Sequence, residues 1–112
     1  MTPQTKAWVI LAIAGILEIA WAVCLRKSEG FTRFPWGLIA IVLSIASVVT
    51  LAFAIRDIPL GTGYAVWTGV GVAGTAFFGI WLFQESTSPL RLFFIALIVV
   101  AIIGLKATTK LH

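Results

Sequence analysis

The chain has 112 residues, of which 61% are hydrophobic and 11% are charged, and its mean hydropathy is +1.10. Soluble domains carry charged residues at about 25% of their positions, so this composition excludes an ordinary soluble domain and indicates a membrane protein. The formal net charge is +4, and the positions of the charges are more informative than their sum.

Four apolar stretches follow one another, and each is long enough to cross a bilayer as a helix of about 20 residues. We predict one all-α integral membrane domain, residues 1–112, with transmembrane helices over residues 7–26, 35–55, 59–83 and 88–106. Because these helices use nearly all of the sequence, we expect no soluble catalytic or sensor domain. A signal peptide in the first stretch is disfavoured, because three further spans indicate a polytopic protein.

The first helix carries a single carboxylate, Glu18, near its middle. An ionisable side chain at the centre of a membrane helix costs about 2.5–3.5 kcal/mol on insertion scales, and it is a functional site by default. Small residues, Ala14, Gly15 and Ala22, share its helical face and leave room beside it. Trp21, on the same face, offers a stacking surface for a planar or cationic ligand. This face predicts half of a cation site; the alternative is a protonated Glu18 that only fixes helix packing.

The second helix follows a short turn that contains Gly30, and Pro35 opens it. Its hydroxyl residues are spaced by three and therefore lie roughly on one face: Ser44, Ser47 and Thr50. We expect Ser44 and Thr50 to bond carbonyls of their own helix or of a neighbouring helix. For Ser47, a packing role and a place in the binding site both stay open.

The third helix is the richest in glycine. Gly69, Gly71 and Gly74 predict a kink, because glycine weakens a helix and a kink allows a helix to adopt two shapes. Tyr64 and Trp67 begin a polar and aromatic stripe on this helix, and the Tyr64 hydroxyl is able to reach a carboxylate. The alternatives are simple packing for the stripe and a place in the interfacial aromatic belt for Tyr64.

The fourth helix begins at Pro89, carries Arg91 in its first turn and is otherwise aliphatic to Leu105. It contains no candidate chemistry, so we expect it to pack within the protomer or against a second copy. Lys106 and Lys110 fit side chains that snorkel to an anionic membrane surface.

The positive charges divide evenly between the two expected membrane surfaces. One surface would hold Lys6, Arg56, Lys106 and Lys110, and the other would hold Arg26, Lys27, Arg33 and Arg91. Orientation follows the Lys and Arg bias of short loops, so a balanced chain should insert in both directions. A loop-level bias or an oppositely biased partner subunit remains the alternative.

Cofactor chemistry finds no support in the sequence. The chain has one cysteine, Cys24, and one histidine, His112, and these two distant residues cannot build a metal site. No nucleotide-binding motif is present, so if the protein transports a cation, a proton gradient is left as the energy source. We expect no cofactor, no metal and no nucleic-acid partner.

Several motifs together resemble the small multidrug resistance transporters. They are four helices in about this length, a lone Glu18 in the first helix, GFTR at residues 30–33 and PLGTGYAVWTGVG at residues 59–71. Trp21, AVWTG at residues 65–69 and IIGLK at residues 102–106 are similar to the guanidinium exporter branch of that family.

The resemblance implies an antiparallel, dual-topology homodimer in the bacterial inner (plasma) membrane. It implies Glu18 as the shared ligand for proton and substrate, with Trp21, Ser47 and Tyr64 supporting it and Trp67 in the site wall. The implied function is export of guanidinium or small guanidinyl cations in exchange for protons. An exporter of quaternary ammonium and other hydrophobic cations with the same fold is the alternative, and a membrane assembly without transport, or a proton leak, is a third. Gly63 departs from the family pattern, and a looser site with a broader substrate range is one expectation from it.

The residues themselves, without the resemblance, also favour exchange of a cation for protons. Four short helices cannot enclose a passage alone, whereas two opposed copies reproduce the inverted-repeat plan of secondary transporters, with the site at the midplane. Two Glu18 carboxylates would then face one cavity, where protons compete with a cation. Guanidinium suits such a pair because it is planar, permanently charged and rich in N–H donors.

Overall fold

The computed structural model describes residues 2–109, so that Lys110 and His112 lie outside the described residues. This part of the chain is all-helical: α1 (Pro3–Lys27), α2 (Trp36–Ala54), α3 (Leu60–Phe83) and α4 (Pro89–Thr108). Each of these helices is long and apolar enough to cross a membrane. The prediction of an all-α protein with four membrane-spanning helices is confirmed.

Two helices begin with the same local chemistry. Thr2 caps α1 by accepting the Thr5 N–H at 3.1 Å, and Pro3 occupies the first turn. Ser88 caps α4 by accepting the Arg91 N–H at 3.2 Å, and a proline again follows the cap. A hydroxyl cap followed by proline satisfies a free N–H and presets the helical φ. Because of its cap, α1 begins before the apolar stretch that hydropathy detects.

Helix α1 lies at the centre of the fold and packs against both α2 and α3. The buried core joins these three helices and the α2–α3 connection, through Ala7, Leu11, Ala14, Leu51, Ala54, Ile58 and Val66. Helix α4 packs against α3, yet none of its residues is buried. The largely aliphatic α4 therefore leaves apolar surface for lipid or for another protein chain.

Side-chain contacts at the helix ends show which ends lie together. At one end, the Lys106 ammonium lies 5.3 Å from the centre of the Trp8 ring. At the other end, the Arg26 guanidinium lies 5.4 Å from the centre of the Phe83 ring. The helices therefore alternate in direction, and the positive residues group by surface as the sequence predicts, apart from Lys110, which lies outside the described residues.

Candidate functional site

The Glu18 side chain of α1 lies against the backbone of α3 at Gly71. A Cβ atom placed on Gly71 would be 2.9 Å from both Cδ and Oε2 of Glu18, closer than real Cβ contacts allow. The missing side chain at Gly71 therefore gives the carboxylate its position. This glycine, which the sequence suggested only as part of a kink, is a direct neighbour of the candidate ligand.

Two polar atoms of this site are buried without a hydrogen-bond partner among residues 2–109. They are the acceptor Oε2 of Glu18 and the donor Nε1 of Trp21. About 90% or more of buried polar groups in proteins make a hydrogen bond, and an unpaired one costs free energy. One acceptor and one donor, three positions apart on α1, are thus free to bind a ligand that carries complementary groups.

Ser47 is fully buried and joins three helices. Its hydroxyl donates to the Ala14 carbonyl oxygen of α1 at 2.8 Å and accepts from Trp67 Nε1 of α3 at 3.0 Å. Ala14 lies one helical turn before Glu18, and Trp67 lies one turn before Gly71. The structure therefore places Ser47 and Trp67 one turn from the carboxylate, where they fix α2 and α3 against α1.

Tyr64 stands apart from Glu18 within one chain. Its ring packs edge-on against Trp67, with centroids 5.5 Å apart, and 55% of the residue is exposed. It precedes Gly71 by seven positions, or about 10 Å along α3. The protomer thus brings Glu18, Gly71 and Trp21 into one region and the Ser47–Trp67 pair next to it, but it does not bring the Tyr64 hydroxyl to its own Glu18.

The glycines proposed as a hinge serve close helix contact in this conformation. Helix α3 is continuous from Leu60 to Phe83. A Cβ on Gly69 would meet Ile102 Cδ1 of α4 at 2.6 Å, and one on Gly74 would overlap with Ile19 Cδ1 of α1. Like Gly71, each receives a side chain from a neighbouring helix. A hinge role stays a prediction.

The other hydroxyls of α2 behave as expected for membrane helices. Ser44 donates to the Ile41 carbonyl at 2.8 Å, and Thr50 donates to the Ala46 carbonyl at 2.7 Å. Both bonds lie within α2, so neither residue contributes its hydroxyl to the candidate site in this conformation. Ser47 is the residue of this stripe that reaches another helix.

Sequence reasoning missed two participants in the site. The position of Gly71 beneath Glu18 depends on the register between α1 and α3, although small residues opposite a membrane carboxylate are a usable signal. The Ala14 carbonyl that accepts from Ser47 is a backbone group of an apolar residue, and no sequence pattern marks it.

Comparisons with known proteins agree with this architecture. Residues 6–98 match the family model described as Small Multidrug Resistance protein. Similar relatives include the guanidinium exporters of Escherichia coli (strain K12), Salmonella typhimurium and Citrobacter freundii. Each is 50% identical over 103 residues, which cover 92% of this chain and 98% of the relative. The chain is therefore a multi-pass bacterial membrane protein, and it belongs to the small multidrug resistance family of transporters.

Proposed function

We propose that two copies of this chain, inserted in opposite orientations, export guanidinium or a small guanidinyl cation in exchange for protons. The observation that carries the proposal is Glu18 in a membrane-spanning helix, with Oε2 buried and unpaired among the described residues. Carboxylates inside the membrane mark substrate, ion and proton pathways, and one without a protein partner suits a mobile cation. The relatives named guanidinium exporters support the substrate class.

The chemistry of the site favours a planar cation with N–H donors. A carboxylate binds guanidinium through two parallel hydrogen bonds as well as through charge. The Trp21 indole, three residues along α1 from Glu18, supplies an aromatic face that attracts a cation. A quaternary ammonium ion lacks N–H donors, so Oε2 of Glu18 would attract it through charge alone.

Packing around Gly63 bears on the breadth of the substrate range. Gly63 is buried, and a Cβ placed on it would lie 2.6 Å from Ile55 Cγ2. Its missing side chain is therefore used for contact with Ile55 at the end of α2. It does not enlarge the space around the neighbouring Tyr64, which removes one reason to expect a broad substrate range.

The single protomer supports a dimer because residues of the candidate site and of α4 remain exposed. Tyr64 is more than half exposed and its hydroxyl forms no hydrogen bond within residues 2–109, and α4 contributes no buried residue. A second, inverted copy would cover exposed surface of this kind and would supply a second Glu18. Such a pair has the inverted-repeat plan of secondary transporters, and the balanced Lys and Arg content allows both orientations.

Exchange follows when one carboxylate pair serves both ions. A protonated Glu18 has no charge with which to hold guanidinium, and a Glu18 that binds guanidinium is not available to a proton. If the dimer changes its open side only when the pair holds one or the other, cation export is coupled to proton entry. The two carboxylates share one cavity and therefore titrate as a pair.

Uptake into proteoliposomes under a pH gradient tests the proposal. We expect the purified protein to transport guanidinium with a preference of at least about tenfold over tetraethylammonium, because the bidentate hydrogen bonds are lost with the latter. Protein-free vesicles are the control. Equal or faster transport of tetraethylammonium would instead support the exporter of quaternary ammonium ions, and transport of neither would leave a non-transport assembly.

A further inference from the structure

A basic cavity lies at the loop between α1 and α2, away from Glu18. Its volume is about 520 Å³, and it is lined by Arg26, Lys27, Glu29, Arg33 and Phe83, among others. We call it the loop pocket. It brings three cations and one carboxylate together at the membrane-surface end of α1, and this excess of positive charge favours an anion.

Aromatic rings position two of these cations. The Arg26 guanidinium lies 5.4 Å from the centre of the Phe83 ring, and the Lys27 ammonium lies 4.7 Å from the centre of the Trp36 ring. Such contacts restrict the side chains without neutralising them. Within residues 2–109, neither cation forms an ion pair.

The carboxylate of the loop pocket is engaged by the third cation. Glu29 pairs with Arg33 at 3.8 Å, and both side chains are mostly exposed. Exposed pairs of this kind are weak, and the pair leaves the charges of Arg26 and Lys27 uncompensated. The loop pocket therefore has a net positive charge, which attracts an anion.

A separate apolar groove lies along the contact between α1 and α3, and its lining on both helices ends within one helical turn of residues that line the loop pocket. Its volume is about 370 Å³, and it is lined by Ile16, Ile19, Ala20, Val23, Phe78 and Leu82. We call it the seam groove. Its α1 residues recur at the i, i+3, i+4 spacing that leads on to Arg26 and Lys27, and from Ile16 to Val23 it extends about 10 Å along the helix.

The seam groove faces away from the proposed transport site. Ile16 and Ala20 are each two positions from Glu18, or about 200° around the helix. Ile16 is 62% exposed. If Glu18 faces a cavity shared with a second copy, this side of α1 faces the bilayer.

We propose that the loop pocket and the seam groove together bind one anionic phospholipid, with its phosphate at Arg26 and Lys27 and an acyl chain in the groove. The charge of the pocket and the apolar lining of the groove match the two parts of such a molecule, and basic pockets between membrane helices bind anionic lipid headgroups. If the occupant were instead a second copy of this chain, that copy would need an anionic group for the loop pocket and an apolar ridge beside it for the seam groove. Of these steps, only the inference that the seam groove faces the bilayer depends on the proposed function.

The test is a titration of the purified protein, in a neutral detergent, with phosphatidylglycerol, and bound lipids are counted by native mass spectrometry. We expect the double variant Arg26→Gln/Lys27→Gln to bind phosphatidylglycerol about tenfold more weakly, since each cation near a membrane surface contributes to the attraction. Ala20→Phe, which fills the groove, should also weaken binding. Lys27→Arg should retain it.

A matched control lies at the opposite end of α1. There a cavity of about 610 Å³ is lined by Lys6, Arg56 and Asp57, among others, so that Lys6→Gln/Arg56→Gln removes the same charge from a less positive site. This control should bind phosphatidylglycerol as the parent does. An equal loss in both double variants would show general surface attraction and overturn the proposal.

Three other outcomes would also overturn it. Equal affinity for phosphatidylcholine would show that the phosphate charge is not recognised. Full competition by inorganic phosphate would show a site for the free anion rather than for a lipid. Dissociation of a dimer by Ala20→Phe, with unchanged lipid binding, would show that the groove is an interface between copies. Circular dichroism of every variant checks that the helices are retained.

Discussion

Gly71 lies directly against the Glu18 carboxylate, and Trp21 lies one helical turn from Glu18 on α1. The absent Gly71 side chain admits the carboxyl group to the surface of α3, and both Oε2 and the Trp21 Nε1 remain unpaired among residues 2–109. The Ser47 hydroxyl is already engaged with the Ala14 carbonyl and with Trp67. For Ser47 to donate to the carboxylate, it must first release the Ala14 carbonyl, because its hydroxyl has a single donor hydrogen, and this makes it a candidate for rearrangement during transport.

Guanidinium affinity should fall as pH falls. Protonation removes the negative charge of Glu18 and with it the attraction for the cation, so the parent should bind well at high pH and poorly at low pH across about pH 5 to 9. Intrinsic tryptophan fluorescence measures the affinity, and Trp21→Phe identifies the contribution of the site. An affinity that does not change with pH would show that the carboxylate does not hold the cation.

The sequence predicts a residue's role where the residue type itself carries a large free-energy cost in a membrane. It does not predict the role where that depends on which group of another helix the residue contacts. Glu18 is conspicuous because an acid in a membrane helix is expensive, and Ser44 and Thr50 make the intrahelical bonds expected of them. The spacing that places Ser47 on a face of α2 cannot say which group that face meets. Its acceptor is a backbone carbonyl, which every residue of α1 possesses.

Helix α3 shows how glycines shape an element. Gly69, Gly71 and Gly74 admit Ile102, Glu18 and Ile19 from the two helices that flank α3. Hydropathy and the prolines at the helix starts are sufficient to predict the four helices, because each span must satisfy its own backbone hydrogen bonds. The register between helices depends on the fit of such side chains, so the sequence could not show that these glycines are contact points.

Gly71→Ala should disturb the site more than the fold. The new Cβ would displace the Glu18 carboxyl group, which is the end of a flexible side chain, so we expect guanidinium affinity to fall at least about tenfold while stability changes by only about 1 kcal/mol. Gly61→Ala is the matched control, because a Cβ at Gly61 meets no atom within 4 Å. Isothermal titration calorimetry and thermal unfolding compare the two. Equal affinity in both variants would contradict a close contact between Gly71 and the ligand site.

Two features describe the molecule as a whole: its exposed surface on α4 and at Tyr64, and the even division of its positive residues between the two helix-end surfaces. No residue of α4 is buried, and Tyr64 is about half exposed, so both leave surface that the proposed second copy would cover. Within residues 2–109, the cations at the two surfaces are Lys6, Arg56 and Lys106 on one side and Arg26, Lys27, Arg33 and Arg91 on the other, and Lys110 of the sequence completes the balance. Because orientation follows the Lys and Arg bias of short loops, this balance favours the dual insertion proposed above.

Dual insertion is therefore the prediction at this scale. Reporter proteins fused to the C-terminus should give signal on both sides of the membrane, and two lysines added beside Arg56 should shift insertion towards the orientation with that loop in the cytoplasm. The same two lysines added beside Arg33 should shift it the other way. One strong orientation of the parent chain would contradict the homodimer, unless an oppositely biased partner accompanied it.

Proton movement driven by a guanidinium gradient is the most direct test of exchange at Glu18. Vesicles that contain the purified protein and a pH-sensitive dye should report proton flux opposite to guanidinium flux. Glu18→Gln should abolish both fluxes, because the amide neither ionises nor attracts a cation, and Glu18→Asp should retain exchange with an altered pH dependence. Guanidinium flux through Glu18→Gln at the parental rate, or parental flux without proton movement, would contradict the account.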